Sequence, residues 1–316
     1  MSTTQMILNI LAIGVPFSVA LLLAATGEMF NQRSGVFNLG CEGIMAMGAF
    51  AAFLPPFFLK DVLPADAANL LGLGAAVAVG AVLGLLFALV VTVFRAPQGI
   101  AGIGLQMLGV GVAGTLFRHY VGGVTGVEGI ATIPLPLLSR IPGIGPVFFD
   151  LTPVAYAAFL FVPAAWYLLF KTPWGLKVRA VGTHPRAADT MGIDVIRTRF
   201  QALALGGALA GLAGAYLSLC QTKMFADDLI AGRGFIAVAL VYFGRWHPVG
   251  ILFGSLLFSL AQSFQLAVQV AGIDFPYEFA VMLPYALVII VLSLARSSRS
   301  RGPAELGKPF NREKRV

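Results

Sequence analysis

Eight stretches of this chain stay apolar for about 20 residues or more, and no other feature limits its fold as strongly. A hydrocarbon core about 30 Å thick is crossed by roughly 20 helical residues, so each stretch is long enough to span a membrane. They lie near 6–26, 35–59, 67–94, 98–118, 151–170, 200–221, 249–270 and 277–295. A ninth run at 234–244 is too short to cross comfortably, and is expected to be a tilted partial span or a re-entrant helix buried in protein. Runs of this length exclude a transmembrane β-barrel, whose strands alternate over about ten residues. Only 11% of the 316 residues are charged and 58% are hydrophobic, whereas soluble domains carry about 25% charged residues. The fold class is therefore an all-α integral membrane protein, a polytopic bundle of about nine transmembrane segments. Cys41 and Cys220 fall in or beside apolar runs and read as small buried hydrophobes.

Orientation follows from the distribution of Lys and Arg. Arg33, Arg95, the six cations of 171–199, Arg245 and the seven of 296–316 place 16 on one side. Lys60, Arg118, Arg140, Lys223 and Arg233 place 5 on the other. The positive-inside rule then predicts a cytoplasmic C-terminus and 171–199 loop, with the N-terminus and 119–150 outside. This topology accounts for the formal charge of +7 without invoking nucleic acid. No cation precedes the first apolar run and no convincing small-residue cleavage site closes it, so that run is expected to remain as a helix.

The bundle should be tightly packed. Gly80/Gly84, Gly207/Gly211 and Gly250/Gly254 are small-xxx-small pairs that let helix backbones approach in lipid. Prolines at 16, 55, 56, 153, 163, 276 and 284 sit within or at the ends of spans, where they kink or cap helices. The 119–150 stretch, rich in Gly and Pro but also apolar, predicts a lip folded back over the bundle. Residues 1–295 read as one transmembrane domain, and 296–316 as a basic, disordered tail. That tail holds Gly302 to Lys308 in a GxxxxGK spacing, but Pro309 replaces the Ser or Thr of a phosphate-binding loop and no strand precedes it. The chain is expected to hold no ATP site, cofactor or metal of its own.

Three blocks carry a family resemblance: NQRSGVFNLGCEGIMAMGAF at 31–50, GLKVRAVGTHPRAADTMGIDV at 175–195 and GRGFIAVALVYFGRWHPVGILFGSLLF at 232–258. With them the chain resembles the permease subunits of bacterial ABC importers, in the branch serving ribose-type sugars, nucleosides and branched-chain amino acids. Within that branch it most resembles the nucleoside permeases. The resemblance implies a separate ABC ATPase, an extracytoplasmic substrate-binding protein and a second homologous permease, with a second copy of this chain as the alternative. It also implies a multi-pass location in the inner membrane. The second block aligns with the family's coupling element, Glu-Ala-Ala, three residues, then Gly. Here it comprises Gly182, His184, Pro185, Arg186, Ala187, Ala188, Asp189, Gly192 and Ile193, with Arg186 in place of the Glu and His184 where Asn is frequent.

The residues themselves fit a lever. Ala187 and Ala188 favour a short helix with little bulk, able to seat in a groove, and Gly192 suits the turn that ends it. Lys177, Arg179, Arg186, Arg197 and Arg199 can meet anionic lipid or an acidic partner surface. The competing interpretation is an ordinary positive-inside loop. For the substrate path, ionisable groups inside the membrane are costly and face the interior. Asn38 and Glu42 are expected on one helical face, either lining the route or capping and bracing the start of that helix. Gln262, Gln265 and Gln269 form a polar stripe near Ser255 and Ser259, and Gln106 stands in the fourth span. Each suits substrate contact or interhelical hydrogen bonding. A stand-alone secondary transporter would need more embedded acids than Glu42 and Glu278 supply. Dispersed His119, His184 and His247, with no HExxH, argue against a membrane enzyme.

Overall fold

A computed structural model describes residues 3–123, 125–134, 145–270 and 302–311, with isolated positions besides. Among these residues, seven helices are long and apolar enough to cross a membrane. They lie in α1 (Thr3–Arg33), α2 (Cys41–Phe58), α3 (Ala65–Ala88), α4 (Gln98–Tyr120), α6 (Pro153–Lys171), α9 (Val195–Ala215) and α11 (Pro248–Val270). Helices α3 and α9 each end in a widened π turn, Leu89–Val93 and Tyr216–Gln221. The short apolar run forms α10 (Arg233–Phe243), whose 11 residues span only about 16 Å at 1.5 Å per residue. It is a half-length helix, as its length predicted. The expected span at 277–295 lies outside the described residues, so the count of nine rests on the sequence.

Two boundaries differ from the sequence reading. The first helix does not stop near residue 26 but runs to Arg33, because Glu28, Asn31 and Gln32 are buried and bond one another. The second helix begins at Cys41 instead of 35. Between them, 34–40 is a buried non-helical turn that Gly35 enters with a φ of +90°.

Outside the spans, the described part of 119–150 folds back as expected. Strand β1 (Ile133–Pro134) pairs antiparallel with β2 (Asp150–Leu151), beside the one-turn helix α5 (Gly145–Phe148). Val127 N–H donates to Lys223 O and Ile130 N–H to Leu219 O, both at 2.9 Å. The Asn69 amide reaches Glu128 O at 3.0 Å, tying the lip to the start of α3.

The bundle is organised around α9, which packs on α1, α2 and α3. In lipid this association rests on close van der Waals contact, so small residues set how near two backbones can come. The predicted glycine pairs of α3 and α9 meet each other. A Cβ on Gly80 would lie 2.9 Å from Gly211 Cα, and one on Gly84 would lie 3.2 Å from Gly207 Cα. Gly211 is pressed from the other side by α2, where a Cβ on Gly48 would come within 2.5 Å of its Cα. The third pair behaves differently, because Gly250 packs on Gly244 and Gly254 on the Phe243 ring, at the end of α10. Gly211→Val should therefore lower the melting temperature in detergent and the folded yield, at a cost of about 1–3 kcal/mol or more for overpacking. Gly104→Ala and Gly111→Ala, on the open face of α4 where a Cβ meets nothing within 4 Å, should leave both unchanged.

Candidate functional site

The connection between α1 and α2 poses a physical problem, since buried non-helical backbone needs hydrogen-bond partners from the protein. Those partners are present. Glu28 sits one turn from the end of α1 and is 1% exposed. Its Oε1 accepts from Asn38 N–H at 2.9 Å and from Gln32 Nε2 at 3.1 Å, and its Oε2 from Asn31 Nδ2 at 2.8 Å. Phe37 N–H donates to Gln98 Oε1 of α4 at 3.0 Å, and Gly40 N–H to Asn38 Oδ1 at 2.8 Å. Arg199 Nε donates to Ser34 O at 3.2 Å. Gln32 Oε1 also accepts from Trp246 Nε1 at 2.8 Å, and Arg33 donates to Trp246 O at 2.8 Å, so the network reaches the α10–α11 turn.

Asn38 and Glu42 do not share a helical face. Asn38 lies in the turn before α2, where its side chain caps a local bend, and Glu42 lies in the first turn of the helix. The Glu42 carboxylate faces the N-terminus of α10, accepting from Gly232 N–H at 2.7 Å and Gly234 N–H at 2.6 Å. Those amides begin a helix and have no intrahelical acceptor, so an anion supplied by a neighbouring helix satisfies them. Glu42 thus anchors the half-length helix against α2. Glu28, the more enclosed of the two acids, escaped the sequence reading because the first span was ended before it. The spacing Glu28, Asn31, Gln32 on one helical face was the available signal.

The predicted coupling element has the expected local form. Helix α7 (Pro173–Thr183) starts with Thr172 Oγ1 accepting from Gly175 N–H at 3.1 Å, and is followed by the short α8 (Pro185–Thr190). Pro185 opens α8, where its missing N–H costs nothing. Gly192 closes the turn at φ +81°, with its N–H on Asp189 O and that of Ile193 on Ala188 O. Arg186 and Ala187 are exposed, whereas Ala188 is buried among Val181 and Val195. Gly182 packs directly on the interruption, because a Cβ there would collide with Arg33 O and lie 3.0 Å from Gly35 N. The end of α7, on which α8 packs, therefore adjoins the non-helical 34–40 backbone.

Two expectations for this region are corrected. Arg199 is not a loop cation but lies inside α9, buried to 1% exposure. The tail expected to be disordered is docked over 302–311, where Glu305 N–H donates to Gly182 O and Gly307 N–H to Gly35 O, each at 3.1 Å. Of the glutamine stripe, Gln262 and Gln265 are half-buried while Gln269 is exposed. The fully buried polar row on α11 is instead Ser255, Ser259 and Ser263. Gln106 is half-buried where α4 crosses the start of α2, its backbone against Gly43. Among the described residues, no three His, Cys, Asp or Glu cluster to hold a metal.

Residues 6–292 match the family described as the permease component of the branched-chain amino acid transport system. The chain belongs to this permease family. It is 38% identical to the guanosine ABC transporter permease protein NupQ of Bacillus subtilis, over 98% of this chain and 99% of that one. It is 36% identical to the nucleoside ABC transporter permease protein NupC of Lactococcus lactis, over 88% and 89%. It is 35% identical to the putative glucose ABC transporter permease protein TsgC13 of Haloferax volcanii, over 95% and 96%. No solved structure matches. The permease is a multi-pass membrane protein, as the seven apolar helices among its described residues and its family agree.

Below the interruption, the permease gathers cations around one ring. Arg33 and Arg179 lie over Phe170 at 5.7 and 5.1 Å, and the His247 ring meets it tilted by 31° at 5.3 Å. Burial and the Arg33 charge hold the His247 imidazole below its ordinary pKa, which favours the neutral ring.

The Glu28 cluster can be tested by separating hydrogen bonding from charge. Glu28→Leu should lower the melting temperature markedly, since an orphaned buried donor costs about 1–3 kcal/mol and several are left at once. Glu28→Gln should cost far less. Asn31 Oδ1 has no partner among the described residues, so a flip of the Asn31 amide lets it accept from the new amide. Equal losses in the two variants, read by thermal unfolding in detergent, would assign the cluster to charge.

Proposed function

We propose that this permease is one transmembrane half of an ATP-driven importer that carries a nucleoside across the inner membrane. The observation that carries this reading is full-length similarity to relatives named for guanosine and nucleoside transport. A simple sugar is the second reading, favoured by the similarity to a relative named a putative glucose permease. ATP and Mg²⁺ would be used by a partner ATPase, not by this chain. A second, homologous but non-identical permease would complete the pore, and an extracytoplasmic binding protein would deliver the cargo. The exposed edge of α8, with Arg186 and Ala187, is the surface offered to the ATPase. Its contiguity with Gly182 and the 34–40 interruption supports a lever role, since a push on α8 meets backbone that is not locked in a helix.

Substrate contact is assigned to half-buried neutral amides. Gln106, Gln262 and Gln265 can both give and accept hydrogen bonds, as the hydroxyls of a pentose require. Asn38 and Glu42 are already engaged with the backbone and are assigned to bracing the path. Uptake by the reconstituted complex, measured across a panel of nucleosides and sugars, tests this assignment. Transport of nucleosides with ATP hydrolysis supports it, and transport of sugars alone replaces it with the second reading. In the same assay Ala187→Glu should cut uptake at least tenfold while the permease still inserts and basal ATPase persists. Ala188→Glu should fail earlier, in folding, because its side chain would be buried.

The topology proposed from charge has nine crossings, with 119–150 outside and 171–199 inside. Single cysteines at Thr125 and Thr190, both exposed, in a background lacking Cys41 and Cys220, should report it. The first should label in intact cells and the second only after permeabilisation. The reverse pattern would invert the orientation.

A further inference from the structure

Residues 302–311 form a strap with three separate attachments. At its start, Gly302 lies against the ring of Trp246, whose indole N–H donates to Gln32 and whose backbone carbonyl accepts from Arg33. In its middle, the Glu305 and Gly307 amides bond Gly182 O and Gly35 O, and Leu306 packs on the main core. At its end, Phe310 packs with Val181, Ala188 and Val195, the apolar contacts that seat α8. Phe310 also stands between two clefts that flank α8. One, of about 450 Å³, is walled by His184–Ala187 and by Glu305, Lys308 and Pro309. The other, of about 480 Å³, runs along Asp189 and Gly192–Ile196 towards Arg95.

An electrostatic reason for docking lies beneath the strap. The Arg199 guanidinium is buried, and among the described residues neither of its terminal nitrogens has a hydrogen-bond partner. One of them sits against Gly35. A buried cation held by a single carbonyl is costly unless an anion is near. Glu305, whose carboxylate reaches Lys308 Nζ at 3.3 Å, lies on the strap where its backbone and an Arg199 terminal nitrogen both border Gly35, so its charge favours the guanidinium without a direct ion pair. The strap therefore brings a compensating charge as well as two backbone donors to the place where the bundle is least regular.

We propose that this strap is a second transmission element: it ties α8 to the 34–40 interruption, with Phe310 as its anchor and Glu305 as the counter-charge of Arg199. Displacement of α8 is then passed to the start of α2 by two routes, directly through Gly182 and in parallel through the strap. Phe310 and Glu305 are positioning residues, not contacts of cargo or nucleotide. The inference rests on the assignment of α8 to the ATPase surface.

The test uses the complete complex and reads two quantities, hydrogen exchange at the Glu305 and Gly307 amides and ATP hydrolysed per substrate imported. In the unaltered complex both amides should be protected. Phe310→Ala and Glu305→Gln should each speed their exchange at least tenfold and raise the ATP used per substrate at least threefold, with assembly unchanged. Phe310→Leu, which keeps most of the apolar anchor, should return both readouts most of the way. Faster exchange with an unchanged ATP ratio would overturn the transmission role. Unchanged exchange in Glu305→Gln would overturn the counter-charge role, and loss of coupling in Phe310→Leu equal to that in Phe310→Ala would overturn the anchor. Ala187→Glu serves as the reference. If it too leaves the ratio unchanged, the assignment of α8 fails, whereas an effect in Ala187→Glu alone sinks only the strap.

Discussion

Seven residues of buried, non-helical backbone between α1 and α2 are shut off from water and need hydrogen-bond partners from the protein. Much of the surrounding structure meets that need. Glu28 and Gln98 accept the amides of Asn38 and Phe37, while Arg199 and Gly307 donate to the carbonyls of Ser34 and Gly35. These partners come from α1, α4, α9 and the C-terminal strap, so the interruption is a junction where distant parts of the chain meet.

The same logic recurs at α10. A helix of 11 residues leaves its first amides inside the bundle, and Glu42 of α2 accepts two of that region's N–H groups. Among the described residues, Glu28 and Glu42 therefore both serve irregular backbone. Their engagement weakens the case for a stand-alone secondary transporter, whose acids must exchange coupling ions. Around these soft points the bundle is stiff. Gly211 is held between Gly48 and Gly80, where α2, α3 and α9 approach so closely that no side chain fits.

The coupling region illustrates how much of a site was legible in advance. Ala187, Ala188 and Gly192 announced a short helix and its closing turn through residue chemistry alone, and the helix is there. The burial of Ala188 was not legible, because it depends on Val181, Val195 and Phe310, the last from more than a hundred residues away. Glu28 was overlooked because a hydropathy window ends a span at its first charge, whereas the fold surrounds that charge with amides. Arg199 and the 302–311 strap were misjudged for the same reason: polar composition suggested solvent, and only tertiary contacts make a polar group cheap to bury.

By itself the sequence determined the membrane class, the helical architecture, the half-length helix, the small-residue pairs on which helices pack closely and the permease resemblance. Each depends on local length, periodicity or residue type, which bilayer thickness and backbone sterics translate directly into structure. Only the tertiary structure decided where the spans break, which acids are enclosed, and that the tail returns to the α7–α8 region. Those outcomes depend on which donors and acceptors meet across the bundle, and hydrogen-bond partners distant in sequence leave no local trace.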